Sequence, residues 1–306
     1  MSIFGRISPS PSHSRPALPP ANQSTTYSPR LPIDLSAMKN VDYPKSTALV
    51  TGATSGIGLS IAIELLSRGI GRLVVVGKQQ QKLERTEKEL REKCGDGQEV
   101  RCILVDLTER DAGAAIEKQI QEWGWTIDIL VNNAGLAAKN TFASDPSQDN
   151  AVACVDVMVR MVVDLSLRFL PGMVQRGHGG LLNLGSTAAY QPVPWTATYA
   201  ACKAFVLSWS QAVRQEQLGT GVRVACIVPG ITKTNLNGRG GGEARGLLDY
   251  VSIHQTADVA KAALDAYENN SAAQIVGFNN KLLRLAGVPV PASVMAKFVG
   301  LSRGPP

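Results

Sequence analysis

From residue 46 onward, the chain alternates short apolar runs with longer amphipathic stretches, and this alternation is compatible with few folds. The short runs are apolar throughout instead of at every second position, which is typical of strands buried on both faces. Strands of this kind belong to parallel sheets that are covered by helices on each side. The predicted strands cover residues 47–51, 73–76, 100–105, 127–131, 180–184, 222–228 and 274–276.

The longer stretches carry apolar residues at helical spacing, as Ile57, Ile61 and Leu65 do in the first of them. Because strands and helices alternate, the chain consists of strand–helix–strand units. The predicted fold class is α/β, with a Rossmann-type doubly wound parallel sheet in a single domain. No internal repeat at solenoid or propeller spacing is present. The predicted helices cover residues 57–68, 79–93, 111–123, 148–175, 198–218 and 256–268.

The two ends of the chain differ in composition from its middle. Residues 1–40 hold seven of the 17 prolines and eight serines, a composition that predicts a disordered tail. Residues 41–280 form the predicted folded domain, and residues 281–306 form an apolar, basic C-terminal extension. An organelle transit peptide stays open as an alternative for the tail, although its prolines oppose the amphipathic helix that such a peptide needs. A start at Met38 is a second alternative.

The net charge of +6 comes from the ends of the chain. Residues 1–40 contribute +3 and residues 281–306 contribute +4, which leaves the middle at −1. A near-neutral body with only 5% aromatic residues argues against a nucleic-acid partner.

The cysteine pattern and the apolar runs indicate the compartment. Five cysteines are an odd number, and no two of them form a C-x-x-C pair, so we expect a reduced intracellular protein without a structural zinc site. The three histidines are isolated in the sequence, so no metal site is predicted. No apolar run reaches the length of a membrane span. We expect a cytoplasmic location.

A glycine-rich segment, Thr51-Gly52-Ala53-Thr54-Ser55-Gly56-Ile57-Gly58, stands where the first predicted strand turns into the first predicted helix. Backbone amides and the positive end of a helix dipole cradle a phosphate at such a turn. No Lys-Ser/Thr pair follows, so the segment is not a nucleotide-hydrolysing P-loop. The residues expected to bind a dinucleotide cofactor here are Gly52, Thr54, Ser55, Gly56, Ile57 and Gly58.

Lys78 directly follows the second predicted strand, at a position where an acidic residue would pair with the ribose 2′-hydroxyl of NAD. No acidic residue is nearby. A cation suits a 2′-phosphate by charge pairing, so Lys78 favours NADP(H) as the cofactor. The alternative is a solvated surface lysine.

Tyr199 and Lys203 are four residues apart in a predicted helix, so they share one helix face. An ammonium near a phenol favours the phenolate, and we therefore expect Lys203 to lower the pKa of Tyr199. A tyrosine tuned in this way acts as a general acid or base. Ser186 stands at the end of a predicted strand, where its hydroxyl can hydrogen-bond a substrate oxygen.

Asn132-Asn133-Ala134-Gly135 follows the fourth predicted strand, and Ser186 precedes the segment Tyr199-Ala200-Ala201-Cys202-Lys203. Together with the glycine-rich segment, these motifs resemble the short-chain dehydrogenase/reductase (SDR) family over roughly residues 45–280. The resemblance implies that Tyr199 protonates the carbonyl oxygen during reduction and that Ser186 polarises that carbonyl. It further implies that Lys203 binds the nicotinamide ribose.

The resemblance also implies further cofactor contacts and an assembly. Asp106 would meet the adenine, and Asn133 and Gly135 would shape the cofactor site. Thr232 and Thr234 lie in a segment that looks like the one beside the nicotinamide, where Thr234 would hydrogen-bond the carboxamide. The family commonly assembles through its two long helices, so a homodimer or homotetramer is expected.

Met158 is a departure from the family pattern, in which many members carry an asparagine at this position of the long helix. That asparagine is thought to hold a water in the proton relay, and a methionine cannot donate a hydrogen bond there. Asp156 is two residues out of register and faces elsewhere on a helix. The departure supports the alternative of a catalytically weak NADP-binding sensor or scaffold.

We interpret the chain as an NADP(H)-dependent oxidoreductase that interconverts a hydrophobic ketone or aldehyde and its alcohol. Residues 188–195, with Tyr190 and Trp195, would form one wall of the substrate site, and residues 235–245 would form a mobile lid. Packing under the lid is the alternative for the two aromatic side chains.

Residues 285–300 would lie on the surface of a partner subunit, which is favoured over a membrane surface. Burial on the protein's own body is the alternative.

Overall fold

A seven-stranded parallel sheet forms the centre of the molecule in the computed structural model. The structure describes residues 40–136, 149–232, 254–277, 280–281 and 291–303. All of these residues belong to one compact unit, which runs from Ser36 to Pro306. Most of the predicted tail and the whole predicted lid at 235–245 therefore lie outside the described residues.

The strand order is β3-β2-β1-β4-β5-β6-β7, and every neighbouring pair is parallel. The chain winds outward in one direction from β1 and in the other from β4, so the topological switch point lies between these two strands. This order confirms the predicted doubly wound fold. The strands are β1 (Thr47–Thr51), β2 (Arg72–Gly77), β3 (Glu99–Leu104), β4 (Ile129–Asn132), β5 (Gly180–Leu184), β6 (Arg223–Val228) and β7 (Gln274–Ile275).

Helices cover both faces of the sheet. Ile61 of α1 and Leu264 of α7 share one hydrophobic core, whereas Ile116 of α3 and Leu165 of α5 belong to the core on the opposite face. The α-helices of the described residues are α1 (Gly56–Ser67), α2 (Gln80–Arg91), α3 (Ala112–Glu122), α4 (Asp149–Val155), α5 (Met161–Arg176), α6 (Ala197–Glu216), α7 (Thr256–Glu268) and α8 (Ala292–Arg303).

The central strand β1 shows why the apolar runs are continuous. All five of its residues are buried. Ala48 and Val50 point into one core and Leu49 points into the other, because successive side chains of a strand alternate between the faces of the sheet. Because both faces of the strand are covered, the three residues between its terminal threonines are all apolar.

The helix predicted as continuous over 148–175 is interrupted. A five-residue π-helical turn, Asp156–Arg160, separates α4 from α5, and the N–H of Met161 donates to the carbonyl of Asp156 across it. The side chain of Arg160 bonds Asp156 at 2.8 Å and also donates to backbone carbonyls in the loop after β3. Apolar spacing does not reveal a single widened turn, which explains why the prediction ran through it.

The start of β4 also differs from its prediction. The strand begins at Ile129 instead of residue 127. Asp128 precedes it and accepts a hydrogen bond from the N–H of Thr47 at 3.0 Å through its carboxylate. The side chain thus replaces one backbone contact at the sheet end.

The C-terminal segment forms a helix that the sequence did not predict. α8 begins directly after Pro291, a position where proline is tolerated because no intrahelical N–H is required of it. Val299 is only 8% exposed and packs with Val193 and Ala200. The expectation that this segment lies on a partner or a membrane is therefore wrong for Val299, which is buried on the protein's own body. In the part of the chain that the structure describes, no helix is long and apolar enough to cross a membrane.

Candidate active site

The glycine-rich turn after β1 packs against the segment after β4, at the switch point of the sheet. Gly52 and Gly56 adopt positive φ angles of +65° and +60°, which favour glycine. A Cβ added at Gly52 would lie 2.8 Å from the Cα of Ala134, and one at Gly58 would overlap the Asn133 side chain. Gly52 and Gly58 are thus required by a close contact within the protein.

Asn133 and Thr51 hold this turn in place. The Asn133 side-chain amide donates to the carbonyls of Thr51 at 2.8 Å and Gly52 at 3.1 Å. The hydroxyl of Thr51 accepts the N–H groups of Asn133 and Ala134, both at 3.1 Å, and donates to Val131. Sequence reasoning missed Thr51 as a site residue, although its place at the end of a buried strand was the available signal.

The remaining residues of the turn differ in exposure. Ser55 is exposed at the N-cap of α1, and among the described contacts its side chain does not cap the helix. Ile57 is half-buried and packs against the core. A Cβ at Gly77 would lie 2.6 Å from a methyl carbon of Thr54, so the turn contacts the end of β2. This contact brings the turn next to Lys78.

Lys78 and Asp106, both predicted to contact the cofactor, are joined to each other. The Lys78 Nζ lies 3.2 Å from Asp106 Oδ2, and the two side chains are 48% and 37% exposed. The other carboxylate oxygen accepts the N–H and hydroxyl of Thr108 at 3.0 and 2.9 Å. Partial burial raises the pKa of Asp106, but the bonds from Thr108 and Lys78 outweigh it and hold that pKa below its usual value.

Ser186 and Tyr199 meet at the carboxyl end of β5. Ser186 caps a short 3-10 helix, Thr187–Tyr190, and its Oγ accepts the N–H of Ala188 at 3.2 Å. Tyr199 lies in the first turn of α6, close enough to Ser186 for the Ser186 side chain to influence the pKa of its phenol. The structure therefore brings the two predicted catalytic hydroxyls together.

Lys203 lies one helical turn after Tyr199 and is 6% exposed. Its Nζ donates to the carbonyl of Leu184 at 2.6 Å and lies 5.8 Å from the centroid of the Tyr199 ring. Burial lowers the pKa of Lys203 to about 8, because a buried ammonium loses its hydration. Leu184, whose carbonyl holds the ammonium, is a functional contact that no side-chain pattern signals.

The pKa of Tyr199 is shifted in the direction opposite to the prediction. Burial raises it, and the hydrogen bond from Ser186 opposes that rise only in part. Lys203 is not among the groups that counter this rise, and its ammonium donates to the Leu184 carbonyl. Tyr199 therefore holds its proton at neutral pH.

Met158 lies in the π-helical turn and is 1% exposed. Its sulfur would be 3.3 Å from a Cβ placed on Gly135, so the thioether fills the space next to this glycine. Asp156 bonds Arg160 at 2.8 Å. Asp156 is therefore engaged with Arg160, which agrees with its predicted orientation away from the Met158 position.

The remaining predicted cofactor residues are Thr232 and Thr234. Thr232 is buried, and its hydroxyl donates to the carbonyl of Gly230 at 3.1 Å. Thr234 lies outside the described residues. Cys202 is 3% exposed, and burial raises the pKa of its thiol, which favours a packing role over a reactive one. Among the described residues, no cluster of His, Cys, Asp or Glu could hold a metal ion.

A buried polar chain beneath the site was not predicted. Asn132 donates to Asn183 at 2.8 Å, and Asn183 donates to the hydroxyl of Ser210 at 2.9 Å. The chain links β4, β5 and α6, and α6 carries Tyr199 and Lys203. Asn132 ends β4, Asn183 lies inside β5 and Ser210 lies in α6, and the sequence pattern gave no reason to pair them.

The geometry at this edge, with a glycine-rich turn at the switch point of a parallel sheet, is one that can hold a dinucleotide. The family model described as short chain dehydrogenase matches residues 46–241. The chain belongs to this family, which confirms the resemblance seen in the motifs.

Relatives and solved structures agree with this assignment. The very-long-chain 3-oxoacyl-CoA reductase of Bos taurus is 36% identical over 192 residues, which cover 62% of this chain and 60% of that protein. The NADP-dependent 3-hydroxy acid dehydrogenase YdfG of Escherichia coli (strain K12) is 37% identical over 187 residues, with 60% and 71% covered. The chain thus spans less than two thirds of the length of the bovine relative.

A short-chain dehydrogenase from Sphingobium yanoikuyae in complex with NADPH has a TM-score of 0.68 at 28% identity. The match covers 82% of this chain and 95% of that structure. L-sorbose reductase from Gluconobacter frateurii, complexed with NADPH and L-sorbose, has a TM-score of 0.65 at 25% identity and covers 77% and 97%.

Proposed function

We propose that the protein is an NADP(H)-dependent oxidoreductase that interconverts a hydrophobic ketone or aldehyde and its alcohol. The observation that carries the proposal is the group formed by Ser186, Tyr199 and Lys203 at the carboxyl end of the sheet. The names of the Escherichia coli relative and of the Sphingobium complex support NADP(H) as the cofactor.

The residues at the switch point fit a phosphorylated dinucleotide. The turn at residues 51–58 leads into the N-terminus of α1, where amides and the helix dipole favour a pyrophosphate. Lys78 stands half exposed at the end of β2 and suits a 2′-phosphate. Asn133 would act by holding the turn, and Gly135, Thr232 and Thr234 would border the nicotinamide side. NADPH supplies a hydride when it is bound.

The chain's own contribution is to place the carbonyl and to supply a proton. Tyr199 keeps its proton at neutral pH because burial raises its pKa, so it is ready to donate to the carbonyl oxygen during reduction. Ser186, which lies next to Tyr199, would hydrogen-bond the same oxygen. Lys203 would hold the nicotinamide ribose and, as an ammonium, stabilise negative charge that develops on Tyr199.

The substrate class follows from the wall beside Ser186. Tyr190 and Trp195 are partly buried, and their partly accessible aromatic rings support an apolar surface on this side of the site. We therefore infer a substrate with an apolar group next to its carbonyl.

The same protein would assemble through its long helices. Val152 and Val155 of α4 and Leu167 of α5 are 63%, 44% and 68% exposed. Three large apolar side chains left in solvent on neighbouring helices support a homodimer or homotetramer. Light scattering would show a shift toward monomer for Leu167→Asp, and an unchanged mass would contradict this assembly surface.

The function is tested by titration with NADPH and NADH, followed by turnover of a panel of apolar ketones. Tyr199→Phe is compared with Tyr267→Phe, because Tyr267 is also buried but lies on α7. We expect the protein to bind NADPH more tightly than NADH. We expect turnover to fall about 10³-fold or more in Tyr199→Phe and to stay near the wild-type value in Tyr267→Phe. Turnover that is indifferent to Tyr199 would overturn the proposed mechanism.

A weak NADP-binding sensor is a second candidate, and Met158 supports it. The side chain at this position is a buried thioether, which donates no hydrogen bond. NADPH binding without turnover of any ketone would favour the sensor. A gain of turnover in Met158→Asn would show that the methionine limits an otherwise complete site.

A further inference from the structure

The C-terminal helix α8 shares a hydrophobic cluster with residues close to both reacting hydroxyls. Val299 packs in one cluster with Val193 and Ala200, which are 3% and 4% exposed. Ala188 is partly buried against the same cluster. One valine near the end of the chain is therefore in a cluster with the 3-10 helix and the first turn of α6.

Each of these contacts is one step from a proposed catalytic residue. Ala188 donates its N–H to the Oγ of Ser186 at 3.2 Å, so a shift of Ala188 moves that acceptor. Ala200 directly follows Tyr199 in α6. Val299 thus belongs to a cluster that includes Ala200, the residue next to Tyr199, and against which Ala188, the partner of Ser186, is packed.

A second contact of α8 supports the loop between these two elements. A Cβ at Gly300 would lie 3.4 Å from Pro194 Cγ, so the helix backbone rests on this proline. The next residue, Trp195, has a φ of +68°, a strained conformation for a large side chain. Such a residue persists only where the surrounding packing holds it in place.

We propose that α8, through Val299 and Gly300, is a positioning element of the active site that keeps Ser186 and Tyr199 next to each other. Neither residue touches the reacting atoms, so both act through the segment 187–200. The inference rests on the proposed function for the roles of Ser186 and Tyr199. The packing of α8 against that segment does not depend on it.

The test compares two identical substitutions on one helix of the full chain. Val299→Ala removes the buried contact, whereas Val294→Ala changes a valine of α8 that is 52% exposed. Both substitutions alter helix propensity equally. The readouts are hydrogen exchange of residues 187–201, the dissociation constant for NADPH, and kcat and KM for a ketone substrate of the wild-type protein.

We expect Val299→Ala to speed exchange over 187–201 by roughly five- to tenfold. Exchange in β1 and α1, which serve as the internal reference, should stay unchanged. We also expect kcat to fall about tenfold with unchanged NADPH affinity, because small displacements of reacting groups cost rate. Val294→Ala should match the wild type, and Val299→Ile should retain most of the activity.

Equal exchange over 187–201 in the two alanine variants would overturn the proposal. Faster exchange with an unchanged kcat would also overturn it, since α8 would then pack without positioning. Exchange that rises equally in β1 and α1 would show general destabilisation and would count against it too. If the wild type turns over no ketone, the proposed function fails alone, and the exchange comparison still decides whether α8 holds these elements.

Discussion

The two halves of the carboxyl edge of the sheet use their lysines in opposite ways. Lys78, on the β2 side, is 48% exposed and pairs with a carboxylate, that of Asp106, at 3.2 Å. Lys203, on the β5 side, is 6% exposed and donates to a backbone carbonyl, that of Leu184, at 2.6 Å. The half proposed to bind phosphate keeps its cation in solvent, and the half proposed to react buries it.

This difference matches what each half has to do. A solvated ammonium loses little hydration before a phosphate arrives, so it can discriminate between cofactors without a large folding cost. A buried ammonium interacts strongly with nearby charge but destabilises the folded state. The comparison predicts that a substitution at Lys78 changes the dissociation constant for NADPH, whereas a substitution at Lys203 changes kcat and the pH dependence of stability.

The largest effect is expected for Lys203→Met, which keeps the length of the side chain and removes its charge. We expect kcat to fall about 100-fold or more, because charge that develops on Tyr199 loses its stabilisation. The same substitution at Lys88, an exposed lysine of α2, is the control. A Lys203→Met enzyme with near wild-type kcat would show that the buried lysine serves folding only.

The buried polar chain beneath α6 gives the next largest effect. Asn183→Ala removes the hydrogen-bond partner that Asn132 and Ser210 share, and we expect a loss of about 2–3 kcal/mol in the free energy of unfolding. Urea denaturation measures this loss. Asn269→Ala, at an exposed asparagine, should change stability by less than about 0.5 kcal/mol. Equal losses of unfolding free energy at Asn183 and Asn269 would mean that the buried hydrogen bonds do not stabilise the half of the sheet edge that is proposed to react.

Lys78→Gln should act on cofactor affinity. We expect the dissociation constant for NADPH to rise about tenfold or more while that for NADH hardly changes, because only NADPH carries the 2′-phosphate. Calorimetric titration of both cofactors measures the two constants, and Lys88→Gln is the control. A parallel loss for NADH and NADPH would contradict the proposed role of Lys78.

The two halves of the sheet edge also differ in how much of each could be predicted from the sequence. The sheet, its strands and the glycine-rich turn follow from apolar runs and from glycine spacing, which are local in the sequence. The hydrogen bonds from Asn133 to Thr51 and Gly52 join segments that are far apart in the chain. Motif spacing therefore predicted that Asn133 belongs to the site, but it did not predict that Asn133 holds the glycine-rich turn.

For the half proposed to react, the sequence predicted which residues lie together, but it did not predict their electrostatics. The spacing of Tyr199 and Lys203 places both on one face of α6. It does not show that burial raises the pKa of Tyr199 or that Leu184 takes the Lys203 ammonium. Burial depends on long-range packing, including that of α8, a helix that the sequence did not predict.

A pH titration of stability gives the smallest effect and separates the two lysines most directly. The pKa of Lys203 is about 8 in the folded protein, against about 10.4 in an unfolded chain. Between these values the unfolded state binds more protons, so the free energy of unfolding rises with pH. The wild type should gain about 1 kcal/mol between pH 8 and pH 9 relative to Lys203→Met.

Chemical denaturation of the protein without added cofactor, repeated from pH 7 to pH 9, measures this gain. Below pH 8 the difference between wild type and Lys203→Met should level off, because Lys203 is then protonated in both states. Lys88→Met provides the matched series for an exposed lysine. A difference that stays flat from pH 7 to pH 9 would mean that the folded protein keeps the Lys203 ammonium well solvated, and the contrast between the two halves would then lie in geometry alone.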